Sequence, residues 1–592
     1  MICEIVICEI VICRKVMERF SLERERKSSM GRTENYERWL AHVKEADVLE
    51  ELESIRGNEE EINDRFYREL EFGTGGLRGV IGAGTYRMNV YTVAKATQGY
   101  SNYLTKTVKT GASSSPSVAI AYDSRNKSDL FAMTAAGVFA ANGIQVYLYQ
   151  ELMPTPCLSY AVRALHCDGG IVVTASHNPA KYNGYKVYGS DGCQITLEAA
   201  EAILKEIDGV DVFDDVKSVD FEQGCESGAI QFIDQSVTTG FIDAVSERAL
   251  NPSEIDKDVS IVYTPLNGTG RYPVTRCLRE NGYTKITIPA EQELPDGNFT
   301  TCPYPNPEIR EALEVGLKKA KEIGSDLLLA TDPDCDRVGV AVAKGDGEYQ
   351  LISGNQMGIL LFDYICRTRQ ANGTMPERPV AVTTIVSTKM IDQIARHYGV
   401  EVKRVLTGFK FIGEQIGFLE EKGEEDRYIF GFEESYGYLS GGHVRDKDGV
   451  NASLLICEMF AHYKAKGRSL IEVLDSLYEE YGYFQESLQS ITFEGASGAK
   501  KMADLMEKFR TEPPAKIAGY SVLGVKDYEK GVGELPKSNV LEFNMEQDVN
   551  VLVRPSGTEP KIKMYYLVKG SSEAQGKTIV SSLEEYFTEV CG

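Results

Sequence analysis

What this chain lacks narrows its function before any motif is read. No stretch of about 18 consecutive apolar residues occurs, so an ordinary membrane-spanning helix is excluded. Positive charge is scarce: 64 Lys and Arg face 88 Asp and Glu, for a formal net charge of −24. Nucleic acid and anionic membranes reward a basic face, so neither is an expected partner. A phosphorylated small molecule stays open, because a few arginines, lysines and backbone N–H groups can reverse the potential inside a cleft. None of the 13 cysteines forms a Cys-x-x-Cys pair, which removes the usual structural zinc frameworks. Cys157, Cys167, Cys193, Cys277, Cys302, Cys366 and Cys457 are scattered through apolar segments. They are expected as free core thiols in a reducing, cytoplasmic compartment.

Residues 1–13 form a five-residue repeat with Cys3, Cys8 and Cys13 in register. Glu4 and Glu9 interrupt it and no positive region precedes it, so it is not a secretory signal. A metal or oligomerisation motif is one alternative. The plainer expectation is an upstream extension, with Met17 or Met30 as the start and residues 1–30 outside the fold.

At 592 residues the chain is too long for one core and is expected to hold three to four domains. Its 42% hydrophobic and 26% charged content is that of a globular protein. A helical pattern over 36–72 leads to the loop Phe72-Gly73-Thr74-Gly75-Gly76-Leu77-Arg78. Short apolar strands then alternate with amphipathic helices. One unit has strands at 117–122 and 145–149, with a helix at 130–142 between them. A second has strands at 259–263, 285–288 and 326–330. A third spans 380–405 and ends in Thr407-Gly408. Three α/β units ending in polar loops suggest three copies of one fold around a central cleft. The tail, with strands near 540–543, 548–553 and 561–568 and a helix at 573–590, reads as a smaller α+β domain after a linker at 481–492. The expected domains are 31–230, 231–345, 346–482 and 483–592.

Three segments carry the chemistry. Thr174-Ala175-Ser176-His177-Asn178-Pro179 follows an apolar strand, and Asn-Pro breaks regular structure, so Ser176 is expected exposed on a tight loop. Asp332-Pro333-Asp334-Cys335-Asp336-Arg337 spaces three carboxylates two apart, which can turn them to one side. Close like charges repel unless a cation is present, and Mg²⁺ suits an all-oxygen site that shares a phosphate. An EF-hand is disfavoured because its glycine and later glutamate are missing; an aspartyl nucleophile would leave Ser176 without a task. Arg554-Pro555-Ser556-Gly557-Thr558 supplies a guanidinium, two hydroxyls and flexible backbone, a nest for a phosphate dianion. A weaker fourth segment, Gly431-Phe432-Glu433-Glu434-Ser435, offers acceptors for sugar hydroxyls, and Lys447 lies just downstream.

With these four motifs in this order, the chain resembles the α-D-phosphohexomutase superfamily, in its phosphoglucomutase/phosphomannomutase branch, over roughly residues 36–592. Phe432 and the run Thr558-Glu559-Pro560-Lys561-Ile562-Lys563 look most like the phosphoglucomutase-2 and phosphopentomutase group. The resemblance implies a four-domain, heart-shaped protein, a monomer or weak dimer, acting on sugar phosphates. It implies Ser176 as a phosphoserine and Mg²⁺ on Asp332, Asp334, Asp336 and the Ser176 phosphate, with Arg337 alongside. Arg78 would contact the reacting phosphoryl group, and His177 and Lys447 are the acid/base candidates. Thr407, Gly408, Glu433 and Ser435 would recognise the sugar, while Arg554, Ser556, Gly557 and Thr558 would hold the phosphate that is not transferring. Glucose 1,6-bisphosphate is the implied intermediate and activator. Phosphoglucomutase activity is the leading expectation, with mannose or pentose phosphate as alternatives and a sugar-phosphate sensor as the non-enzymatic one.

Overall fold

Three sheets share one strand pattern, and that pattern decides where the polar loops go. The computed structural model describes residues 31–73, 75–108, 115–493, 498–556 and 561–591. Its first sheet is built on strands Ser117–Tyr122, Gln145–Leu148, Gly169–Val173 and Tyr182–Gly189. The second repeats this with Ile261–Thr264, Ile286–Thr287, Leu327–Thr331 and Val338–Ala343. The third does so with Val380–Thr384, Glu401–Val405, Tyr428–Phe432 and Tyr438–Leu439. In each sheet the spatial order of these four is second, first, third, fourth. The first three run parallel and the fourth returns antiparallel beside the third.

The third strands are buried along their whole length, which is why their sequences are near-continuous apolar runs rather than alternating ones. The first sheet adds edge strands Gly76–Val80 and Ile230–Phe232. The second adds Tyr349–Ile352, which lies past the expected boundary at 345. One continuous apolar core, including Ala119, Ile261 and Val380, runs through all three sheets.

Helix ends follow local chemistry. Asn89, Ser353 and Ser469 each form a reciprocal capping box at the start of Val90–Thr107, Gly354–Asn372 and Leu470–Tyr481. The helical pattern over 36–72 resolves into three short helices, Arg32–His42, Ala46–Ser54 and Glu59–Phe66. Asn58 starts the last by accepting the Glu61 N–H, and the three pack around Trp39 and Phe66. The seven core cysteines are buried and free. No helix among the described residues is long and apolar enough to cross a membrane. The repeat at 1–13, Met17 and Met30 lie outside the described residues.

The fourth sheet is antiparallel, in the order Tyr483–Thr492, Lys561–Gly570, Val549–Pro555, Leu541–Met545, Tyr520–Asp527 and Lys516–Ile517. This corrects the linker expected at 481–492. Tyr483–Thr492 pairs with Lys561–Gly570 along its full length. It reads as polar because it is an edge strand with alternate residues facing out. The sheet meets the third domain through Ile385, Val386 and Leu406 against Leu552, Tyr565 and Leu567, and through Lys389 Nζ on Asn550 Oδ1 at 2.6 Å.

Glu486 sits at this junction. Burial pushes its carboxyl up to about 7, partly offset by a hydrogen bond with Thr388. Between the ordinary glutamate value near 4.5 and about 7 the folded state therefore holds more protons than the unfolded chain, so stability falls as pH rises through that window. Thermal melts from pH 5 to 8 should lose about 2 kcal/mol from this group, and Glu486→Gln should remove that part of the slope. An unchanged slope in the variant would show that Glu486 is ionised in the fold.

Candidate active site

Because the third strand of each sheet ends beside its antiparallel neighbour, the turn between them projects from the same end of every sheet. Those turns hold Ser176 in the first sheet, Asp332 to Asp336 in the second, and Glu433 to Ser435 in the third. Each contains one non-glycine residue in left-handed conformation: Ser176 at φ 51, Cys335 at φ 52 and Tyr436 at φ 65. Such residues are uncommon and need support from their surroundings. Close approach supplies it at the aspartate turn. A Cβ on Gly268 would lie 2.4 Å from Pro333 Cα, and one on Gly449 2.5 Å from the Cys335 carbonyl.

The turns converge. Ser176 Oγ donates to Asp332 Oδ2 at 2.8 Å and lies 3.1 Å from His177 Nδ1. Ser176 is only 4% exposed, which corrects the exposed serine expected from the sequence: the aspartate turn of the second sheet covers it. Asp332 Oδ1 accepts the backbone N–H groups of Asp336 and Arg337. Asp334 Oδ2 accepts from Thr155 Oγ1 and Lys186 Nζ, both at 2.8 Å. Asp336 Oδ2 faces Lys447 Nζ at 3.0 Å and Lys186 Nζ at 3.3 Å.

All three carboxylates are buried, with one oxygen of each within 4.8 Å of the others. Unit charges at such separations repel by about 3 kcal/mol per pair at an effective dielectric of ~20. At Asp334, burial notwithstanding, the Lys186 ammonium outweighs this and holds the carboxyl below the usual range. Burial, then Asp336 and Asp334, push Asp332 well above the usual carboxylate range. Asp334 Oδ1 and Asp336 Oδ1 are buried without a hydrogen-bond partner. Oxygen-only donors, crowded negative charge and two orphaned oxygens fit a hard divalent cation.

Around this group, Arg78 Nη1 reaches Asn178 Oδ1 at 3.3 Å, and Arg337 pairs with Glu308. Burial, with Arg337, Arg78, Arg125 and Lys186 nearby, pushes the His177 imidazole well below its usual value. Burial would likewise lower Lys447, but Asp336, Asp446 and Glu433 outweigh it and hold the amine above the ordinary lysine value. In the third turn Glu433 Oε1 accepts the Gly408 N–H at 2.8 Å, which places the Thr407-Gly408 loop against Glu433, two residues before Ser435. Burial, then Glu433, push Glu434 up to about 7.

Arg554 pairs in register with Lys563 at the end of the fourth sheet, and the Ser556 N–H donates to the Lys561 carbonyl at 2.7 Å. Lys563 is lowered by burial and then by Arg554, with Glu308 and Glu434 acting the other way, so this end of the sheet lies near the Glu434 turn and Glu308. Gly557 and Thr558 lie outside the described residues.

Models of phosphoglucomutase/phosphomannomutase alpha/beta/alpha domains I, II and III match residues 69–212, 239–345 and 353–481. A phosphoglucomutase of Staphylococcus epidermidis is 36% identical over 536 residues, covering 88% of this chain and 95% of the relative. This chain belongs to the phosphoglucomutase/phosphomannomutase family. A phosphoglucomutase of Staphylococcus aureus is likewise 36% identical over 551 residues, 91% of this chain and 96% of the relative. The same fold occurs in the open form of pp63/parafusin, a phosphoglucomutase from Paramecium. There the TM-score is 0.64 and the identity 19%, over 88% of this chain and 95% of that one. A family protein of Burkholderia thailandensis has a TM-score of 0.64 at 18% identity, over 88% and 96% of the two chains. The protein is thus a mutase of the α-D-phosphohexomutase superfamily.

Several residues around this mutase's carboxylates have no motif to betray them. Lys186 had a faint signal, as a lone charge between the aromatics of Tyr185-Lys186-Val187-Tyr188. Thr155 and Glu308 had none. Asp446, which holds Lys447 Nζ at 2.9 Å and accepts from Tyr188 Oη at 2.7 Å, sits in the Arg445-Asp446-Lys447-Asp448 run, where only its lysine drew notice.

Proposed function

We propose that the enzyme interconverts α-D-glucose 1-phosphate and glucose 6-phosphate through a phosphorylated Ser176 and a glucose 1,6-bisphosphate intermediate. The observation that carries this is the 2.8 Å hydrogen bond from Ser176 Oγ to Asp332 Oδ2, which puts a hydroxyl nucleophile at the head of the carboxylate group. The relatives named phosphoglucomutase support glucose as the sugar. Asp332, Asp334, Asp336 and the Ser176 phosphate would hold Mg²⁺, which when bound neutralises charge on the phosphoryl oxygens.

The chain's own residues do the positioning. The P–O bond to Ser176 breaks as a sugar hydroxyl oxygen bonds to phosphorus; the hydroxyl proton passes to a base in the cleft, and Ser176 Oγ takes up a proton as it leaves. The bisphosphate then turns end for end. Its other phosphoryl group returns to Ser176, whose Oγ gives up its proton, and the sugar oxygen left behind takes one. His177 Nδ1, 3.1 Å from Ser176 Oγ, and Lys447 are the groups placed to move these protons, with Lys447 entering as the cation. Arg78 and Arg337 steady the moving phosphoryl group. Thr407, Gly408, Glu433 and Ser435 take the sugar hydroxyls. Arg554, Ser556, Gly557 and Thr558 hold the resting phosphate, so that either orientation of the intermediate is anchored. On these assignments the four domains enclose the cleft, with the first boundary moved past Ile230–Phe232 and the second past Tyr349–Ile352.

Mutase assays with Mg²⁺ and trace hexose bisphosphate, comparing kcat/KM for glucose, mannose and ribose 1-phosphates, test the substrate. A ribose preference would make the enzyme a phosphopentomutase, which Phe432 and the 558–563 run leave open by resemblance to the joint phosphoglucomutase-2 and phosphopentomutase group. No activity on any, with Ser176 unphosphorylated, would leave a sugar-phosphate sensor. Arg554→Ala should raise KM about 10- to 100-fold with kcat little changed, because it removes a charge-assisted contact to phosphate. It should also release labelled bisphosphate into solution. A variant with unaltered KM would remove Arg554 from the phosphate site.

A further inference from the structure

Each of the three turns is held from the same side by the loop after the first strand of its own sheet. In the second sheet, Thr269 donates both its N–H and its Oγ1 to the Pro333 carbonyl, at 2.8 and 2.9 Å. In the third, Thr384 Oγ1 and Ser387 Oγ reach Glu434 Oε2 at 3.1 and 3.4 Å. In the first the corresponding loop is Asp123-Ser124-Arg125, and its grip is the most extensive.

The Arg125 side chain is 0% exposed. Its Nη2 donates to the carbonyls of Ser176 and Asn178, and its Nη1 to those of Pro179 and Tyr182 at 3.0 and 3.1 Å. Its Nε faces Asp123 Oδ2 at 3.3 Å. That same carboxylate oxygen accepts from Thr174 Oγ1 at 2.6 Å, and Thr174 Oγ1 in turn accepts the Ser176 N–H at 2.8 Å. Both backbone polar groups of Ser176 are therefore fixed by this pair, the carbonyl directly and the N–H through one hydroxyl. A left-handed serine has no intrinsic preference for that conformation, so the clamp is what holds Oγ on the Asp332 side. Guanidinium geometry matters: a planar fork reaches four carbonyls, which a lysine ammonium cannot match.

Taking Ser176 as the phosphorylated residue, we infer that Arg125, working with Asp123 and Thr174, is a positioning residue for phosphoryl transfer: it sets the aim of the serine without touching substrate.

The test uses full-length Arg125→Lys, Arg125→Ala and Thr174→Val, each checked for folding by circular dichroism. Phosphate on Ser176 is followed by intact mass spectrometry after mixing with glucose 1,6-bisphosphate. Misplacement of the serine should lower kcat and the rate of Ser176 phosphorylation about 100-fold in Arg125→Lys, with KM within about twofold of the parent. Thr174→Val should fall in the same direction, and Arg125→Ala should lose at least as much as Arg125→Lys. Folded Arg125→Lys and Thr174→Val proteins that phosphorylate Ser176 as fast as the parent would overturn the inference. So would a KM rise with unchanged kcat. If Arg125→Ala does not fold, the other two variants decide. Failure of the parent itself to take phosphate on Ser176 would instead reject the proposed function, so the two failures are distinguishable.

Discussion

Ser176→Ala should lower kcat by at least about 10⁴-fold, the scale seen when a covalent nucleophile is removed. Oγ is the atom proposed to carry the phosphoryl group, and His177 Nδ1 and Asp332 Oδ2 both point at it. Alanine leaves the turn's backbone contacts in place, because Arg125 and Thr174 bind main-chain atoms of residue 176. The variant should therefore fold and still bind sugar phosphate. Stopped-flow and steady-state turnover, with a mass measurement for the missing phosphate, check this. Activity within tenfold of the parent would show that the phosphoryl group never rests on Ser176.

Asp334→Asn should be the second largest loss, about 10³-fold in kcat, together with an apparent Mg²⁺ affinity at least about tenfold weaker. The substitution keeps the shape of a residue that is fully buried and holds Thr155 and Lys186, but removes one of three negative charges. Burial would raise Asp334, yet Lys186 beside it holds the carboxyl below the usual range, so the parent residue enters as an anion and its neutralisation is a real change of charge. Calorimetric titration of Mg²⁺ into parent and variant separates the two effects. Equal affinities would mean that the cation sits elsewhere.

How much of this was open to a reader of the sequence depends on the range of the forces involved. The α/β class and the central strands were legible because burial on both faces writes itself locally as unbroken apolar runs, as in Leu327-Leu328-Leu329-Ala330. The residues of the serine, aspartate and sugar turns were legible because each is a short run of chemistry at a strand end. Helix starts at Asn89 and Ser353 follow from capping within three residues.

The edge strand Tyr483–Thr492 was misjudged as a linker, since its pairing lies about eighty residues away, at Lys561–Gly570. A period-2 pattern with polar outer residues is a weak signal without its partner.

What the sequence by itself determined, then, is which short polar runs stand at strand ends and on which kind of element. Only the tertiary structure decided how they are held. Arg125 meets the Ser176 carbonyl across 51 residues, Lys186 meets Asp334 across 148, and Thr155 meets it across 179. No local propensity encodes such contacts. They exist because three sheets of one topology pack on a shared core with their third-strand turns facing inward, and packing at that density fixes positions that chain-local preferences leave free.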